Sequence, residues 1–110
     1  GAAFNGCESL IKIEIPEGVI NIDHSTFEGC KDLIEVVIPN SIVNIDGSAF
    51  YGCESLVNIE IPENVTNIGE YAFCNCKSLT SITIPDSVTS IGSSAFKGCS
   101  GLTNITLPFI

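Results

Sequence analysis

Ala95-Phe96-Lys97-Gly98-Cys99-Ser100-Gly101-Leu102-Thr103-Asn104-Ile105-Thr106-Leu107-Pro108 is the last copy of a motif that starts again 23 residues earlier at Ala72-Phe73. It recurs at Ala49-Phe50, at Thr26-Phe27 and at Ala3-Phe4. A fixed period of this length is the mark of a repeat architecture, in which each copy is one supersecondary unit that buries its apolar face against its neighbours. The columns are unshifted throughout. Phenylalanine stands at 4, 27, 50, 73 and 96, cysteine at 7, 30, 53, 76 and 99, and leucine at 10, 33, 56, 79 and 102.

Within one repeat the pattern predicts three pieces. Ile82-Thr83-Ile84 and its equivalents alternate apolar and polar β-branched residues, as a half-buried strand does. Proline follows at 16, 39, 62, 85 and 108 and ends each strand, because it has no N–H for a continuing ladder. Next comes an apolar pair spaced Val-x-x-Ile (Val19/Ile22, Ile42/Ile45, Val65/Ile68, Val88/Ile91), expected to form a short extended piece or a bend with both side chains inward. The third piece, through Ala-Phe, is expected to be a single helical turn, as at Ser93 to Lys97. It should be stopped by the column Gly6, Gly29, Gly52, Asn75, Gly98, since glycine and then asparagine best tolerate positive φ.

Two polar columns support in-register stacking. Glu8, Lys31, Glu54 and Lys77 alternate in charge along one edge, and Asn21, Asn44 and Asn67 form an amide column continued by Ser90. At a strand spacing of about 4.8 Å, stacked amides reach one another along the axis.

The pattern Ala-Phe-x-Gly-Cys-x-x-Leu-x-x-Ile-x-Ile-Pro-x-x-Val-x-x-Ile-Gly resembles the 23-residue leucine-rich repeat of the BspA-like, or Treponema-type, family, and the resemblance covers the whole chain. It implies a right-handed leucine-rich-repeat solenoid with a parallel β-sheet on the concave face and short bends and single helical turns on the convex side. The columns themselves predict a single array of about five coils over residues 1–110, and the uncapped, mid-repeat ends lead to the expectation that it is part of a longer chain. The family includes many surface and secreted proteins of bacteria and some protists, several of them linked to adhesion, so the resemblance places this chain at the cell surface or among secreted proteins. If its strands point as in other leucine-rich repeats, the outward residues of the concave face are Lys12, Glu14, Glu35, Val37 and Asn58, followed by Glu60, Ser81, Thr83, Asn104 and Thr106. These are the candidate binding residues. Beside them, a stripe of Ile11, Ile34 and Val57 gives way to Thr80 and Thr103.

Charge narrows the partners. The chain carries 13 acidic residues against 4 lysines, a net charge of −9. Nucleic acid and anionic lipid both call for clustered cations and are disfavoured. No apolar run approaches the 18 or so residues of a membrane span, so no membrane insertion is expected within this segment.

Chemistry-bearing residues are sparse. The five-cysteine column lacks the C-x₂₋₄-C pairs of a zinc site and is expected to pack as buried free thiols. Cys74 falls in a variable column with Asn5, Glu28, Tyr51 and Lys97 and is expected to be exposed; Cys74-Asn75-Cys76 has the form of a reactive or metal-binding pair, but a chance substitution in a variable column is the expected reading. His24 is the one histidine and has no serine or cysteine partner at a constant position, which argues against nucleophilic catalysis. The carboxylates scatter over exposed columns without a calcium-loop run. No enzyme, metal or cofactor is expected.

The ends bear on assembly. Both open in mid-repeat, and Phe109-Ile110 stand where other repeats are polar or small. Phe4, Phe109 and Ile110 are therefore candidate end-stacking residues. The leading expectation is a non-catalytic, adhesive module that binds a protein ligand, such as a host or matrix protein, through the concave face. The alternative is a building block whose copies stack end to end into an extracellular fibre, since a head-to-tail contact that does not close gives an open polymer.

Overall fold

The computed structural model describes residues 9–106, and it is a solenoid of parallel strands. The first strand of each repeat is three residues long: β1 (Lys12–Glu14), β3 (Glu35–Val37), β5 (Asn58–Glu60), β7 (Ser81–Thr83) and β9 (Asn104–Thr106). Between them lie the two-residue strands β2 (Asn21–Ile22), β4 (Asn44–Ile45), β6 (Asn67–Ile68) and β8 (Ser90–Ile91). All pairings are parallel with a register of one repeat, for example Lys12 with Glu35 and Ile59 with Ile82. The Val-x-x-Ile pieces are thus strands of a second sheet, running β2-β4-β6-β8 without a break.

The concave side is different. It divides into a β1-β3 pair and a β5-β7-β9 sheet. At the other steps of the stack one amide crosses ahead of the strand: Ile34 N–H donates to Ile11 O at 2.8 Å, Thr80 to Val57 O at 3.1 Å and Thr103 to Thr80 O at 3.0 Å. Among the described residues, the equivalent bond from Val57 to Ile34 is absent.

The core lies between the sheets and the convex turns, and it is built from the sequence columns. Phe50, Phe73, Cys53, Cys76, Leu56, Leu79, Val65 and Ile68 are fully buried. The phenylalanine rings stack face to face up the axis, with centroids 5.3 Å apart for Phe27–Phe50 and Phe50–Phe73 and 5.6 Å for Phe73–Phe96. Stacking of this kind adds ~0.5–1.5 kcal/mol per pair beyond the burial of area.

The convex piece is not the helical turn that the sequence suggests; the described residues contain no helix. Its amides alternate between two partners. Thr26, Glu28 and Cys30 donate three residues back, while Ser25, Phe27 and Gly29 donate across to Gly47, Ala49 and Tyr51 of the next repeat. A helix would turn all of these amides inward along its own axis. The alternation is set by a left-handed residue at Ser25, Ser48, Tyr71 and Ser94, with φ of 60°, 57°, 59° and 59°. For a bulky side chain this backbone costs ~1–2 kcal/mol. The expected left-handed stop is also present, at Gly29, Gly52, Asn75 and Gly98 with φ of 76°, 75°, 63° and 78°.

Small polar side chains stitch the turns after proline. Ser41 Oγ donates to Val19 O and Ser87 Oγ to Val65 O, both at 2.7 Å, and Asn64 Nδ2 donates to Asn40 O at 2.8 Å. The amide column is bonded at one step: Asn67 Nδ2 donates to Asn44 Oδ1 at 2.6 Å, while Asn44 donates to Asp46 of its own repeat, and among the described residues no such bond joins Asn21 to Asn44 or Ser90 to Asn67.

Candidate functional site

An open groove of about 1200 Å³ runs along the concave side of the β5-β7 region. Period-two alternation explains its lining. Ile59 and Ile82 point into the core, 4% and 3% exposed, so Asn58, Glu60, Ser81 and Thr83 are turned to solvent. These four expected residues line the groove. So do Asn40, Glu63, Asp86 and Ser87, which were not anticipated. Their signal was present: the positions just after the first four prolines, Glu17, Asn40, Glu63 and Asp86, are all polar. The proline turns them back along the end of the sheet.

Lys12, Glu14, Glu35 and Val37 are exposed as expected, but they lie on the β1-β3 pair and do not line the groove. Asn104 and Thr106 sit on β9, in register with Ser81 and Thr83; their side chains lie outside the described residues. So do Phe4, Phe109 and Ile110, the candidates for end stacking. The stripe of Ile11, Ile34 and Val57 is 58%, 48% and 41% exposed.

The groove's charged lining residues, Glu60, Glu63 and Asp86, are all acidic. The rest of its polar lining is hydroxyl and amide, which both donate and accept. Such a surface has the equipment to hold a polypeptide by hydrogen bonds and charge, but no nucleophile beside a base. Among the described residues no group of three or more His, Cys, Asp or Glu side chains is placed to hold a metal.

The cysteine column is structural. Cys53, Cys76 and Cys99 each donate a thiol hydrogen bond to a phenylalanine carbonyl of the preceding repeat, at 3.2, 3.2 and 3.1 Å. Burial pushes the Cys53 thiol up to about 12, with the neighbouring Cys30 adding to the effect. Cys76 and Cys99 are raised for the same first reason. Buried in the case of Cys53 and Cys76, half-buried in that of Cys99, and hydrogen-bonded as protonated thiols, these groups are poor nucleophiles. Cys30, Cys53, Cys74, Cys76 and Cys99 are all free thiols. Cys74 is buried at 3% exposure, contrary to expectation. His24 lies on the exposed convex turn, with Nδ1 2.9 Å from Ser25 Oγ.

Taken together, the parallel stacked repeats, buried columns and exposed concave sheet define a leucine-rich-repeat protein. More narrowly, the chain belongs to the BspA-type leucine-rich repeat family, whose model matches residues 1–109 in six copies. Proteins of this class are generally non-catalytic and typically serve as protein-interaction modules.

The chain is similar to the leucine-rich repeat protein of T. pallidum, at 38% identity and a TM-score of 0.95, over 96% of this chain and 50% of that one. A leucine-rich repeat protein from Bacteroides ovatus matches at 39% identity and 0.90, over 97% of this chain and 28% of the other. A leucine-rich cell surface protein from Faecalibacterium prausnitzii matches at 36% and 0.65, over 87% and 31%. The chain therefore spans half or less of the length of these structures. No curated protein matches it in sequence.

Proposed function

We propose that this chain is the protein-binding module of a cell-surface or secreted protein, adhesive in role, and that it holds its ligand in the concave groove. The observation that carries this reading is the groove itself: a wide, open trough over the strand face, with Asn58, Glu60, Ser81 and Thr83 turned to solvent along it. Repeat solenoids present extended concave surfaces of this kind to protein partners. The surface setting is supported by the name of the F. prausnitzii neighbour, a cell surface protein. No helix among the described residues is long and apolar enough to cross a membrane.

The test is binding to a panel of immobilised extracellular-matrix proteins, followed by charge reversal. Glu60→Lys, inside the groove, is expected to weaken the interaction by on the order of 1 kcal/mol, about fivefold. Glu35→Lys lies outside the groove and is expected to do less. Unchanged affinity for Glu60→Lys contradicts the concave assignment. A mass that climbs with concentration in light scattering would replace it with end-to-end assembly.

A further inference from the structure

The two tyrosines of the chain stand outside its repeat logic. Tyr51 occupies a position held elsewhere by Glu28, Cys74 and Lys97, and Tyr71 one held by Ser25, Ser48 and Ser94. The core does not use them, since the stacked phenylalanines already fill it. Tyr71 adopts the left-handed backbone, φ 59°, and is 40% exposed. It packs on Tyr51 with ring centroids 6.3 Å apart and planes tilted by 59°. Ser25, Ser48 and Ser94 share this backbone, so the fold sets the conformation, and the part-exposed ring is what this repeat alone adds.

Tyr51 forms a wall of a second groove, of about 300 Å³, whose lining residues are distinct from those of the concave groove. Gly29 and Gly52 form its floor. Both have positive φ, so the floor stays bare of side chains. Around it stand Glu28, Glu54, Lys31, Lys77 and Asn75. Acid and base alternate here, yet among the described residues these five side chains form no ion pair or hydrogen bond with one another. The backbone amides of Gly29, Gly52 and Asn75 are already spent on the carbonyls of Tyr51, Cys74 and Lys97, at 2.7, 2.8 and 2.7 Å.

These features select a ligand class. A peptide adding as a strand needs free backbone groups, and the floor's amides are occupied. A polyanion meets Glu28 and Glu54, and a polycation meets Lys31 and Lys77. An uncharged polyol satisfies every group: its hydroxyls donate to carboxylates and accept from ammonium groups, and the amide can do both. The C–H face of a sugar ring would lie on the tyrosine, which offers an apolar body beside a polar rim. The geometry points to a carbohydrate-binding groove at Tyr51 for a neutral oligosaccharide, with Tyr71 as a positioning residue that holds the Tyr51 ring.

The chain has two tyrosines and no tryptophan, so its intrinsic emission reports on this pair alone. Titration with neutral hexasaccharides of glucose, galactose, mannose and N-acetylglucosamine is expected to give a saturable change for at least one of them. Tyr51→Ala, followed by calorimetry, should raise its Kd at least tenfold with an unchanged circular dichroism spectrum. Tyr71→Ser should raise Kd while the thermal midpoint holds or rises, and Tyr71→Phe should restore binding; a purely structural tyrosine would lower the midpoint instead. Glu60→Lys should leave sugar binding unaltered. Competition by the free monosaccharide distinguishes a single-ring subsite from one that reads a chain. The proposal is overturned if no sugar saturates, if Tyr51→Ala binds as the parent does, or if heparin or polylysine displaces the neutral sugars as the Tyr51-dependent ligand. Should Tyr51→Ala not fold, Glu54→Gln and Lys77→Ala replace it, and parental affinity in both overturns the proposal.

Discussion

The two sheets of this solenoid are built from the same repeats and behave differently. The second sheet runs unbroken through β2, β4, β6 and β8, although each of its strands has only two residues. The concave sheet has longer strands and yet is open between β3 and β5. At that same step, Thr66 N–H reaches Val43 O and Gly69 N–H reaches Ile45 O, both at 2.8 Å, and on the convex side Phe27 reaches Ala49 O at 2.8 Å. Continuity therefore does not depend on the concave sheet. It rests on the buried columns and on the back and convex hydrogen bonds. A concave face that contributes less to cohesion is freer to vary its side chains.

The largest expected effect comes from attacking the buried columns. Phe50 is fully buried and stacks on both Phe27 and Phe73. Phe50→Ala should cost about 3–5 kcal/mol, read as a shift of the urea midpoint; a cost under 1 kcal/mol would mean that the columns are not what holds the stack. Gly69→Ala attacks the back of the same step. A Cβ there would lie against the backbone of Asp46 and Gly47, which cannot swing aside as a side chain can, so a loss of about 1–3 kcal/mol is expected. A loss as small as that of a solvent-exposed substitution would show that the back sheet yields.

Alkali probes the thiol column without mutation. The folded state raises Cys53 from 9.0 to about 12, so its protonated form is favoured in the fold. Stability from this group is fully present below pH 9 and is lost as pH rises through 9 toward 12, by about 1.4 kcal/mol per unit. Cys76 and Cys99 act in the same direction. Denaturation at pH 8 and pH 10 should show the fall, and Cys53→Ala should reduce it; a flat profile contradicts the buried-thiol account. The smallest effect belongs to the open step itself. Glu60→Thr would place a β-branched residue beside Val37, and cross-strand pairs of that kind are worth about 0.2–1 kcal/mol. A slight rise in the urea midpoint is expected, and a fall would show that Glu60 already supports the step.

Much of this was legible because the period is strict. Repetition fixes register, and register fixes which columns meet; the inward Leu56 and Ile82 and the outward Asn58 and Thr83 follow from that and from alternation. The left-handed stop was legible at Gly29, Gly52 and Asn75, because those residue types favour positive φ. The second left-handed column was not. Serine and tyrosine carry no such preference, and the conformation at Ser48 and Tyr71 is imposed by amides that bond to the next repeat. The back sheet was hidden because two-residue strands are too short to show alternation. Cys74 was misplaced because a column of mixed residues, Glu28, Tyr51 and Lys97, reads as exposed, while the small thiol in that column is buried. The open step between β3 and β5 was not legible either, because no residue type announces it.

Native-state hydrogen exchange at this single step tests the account most directly. The amides of Thr66 and Gly69 should exchange only through global unfolding, while Val57 exchanges rapidly and Thr80 and Thr103 stay protected. Equal protection of Val57 and Thr66 would mean that the concave sheet is continuous. Rapid exchange of all three amides, Val57, Thr66 and Gly69, would mean that the molecule comes apart there and that the buried columns do not carry the stack.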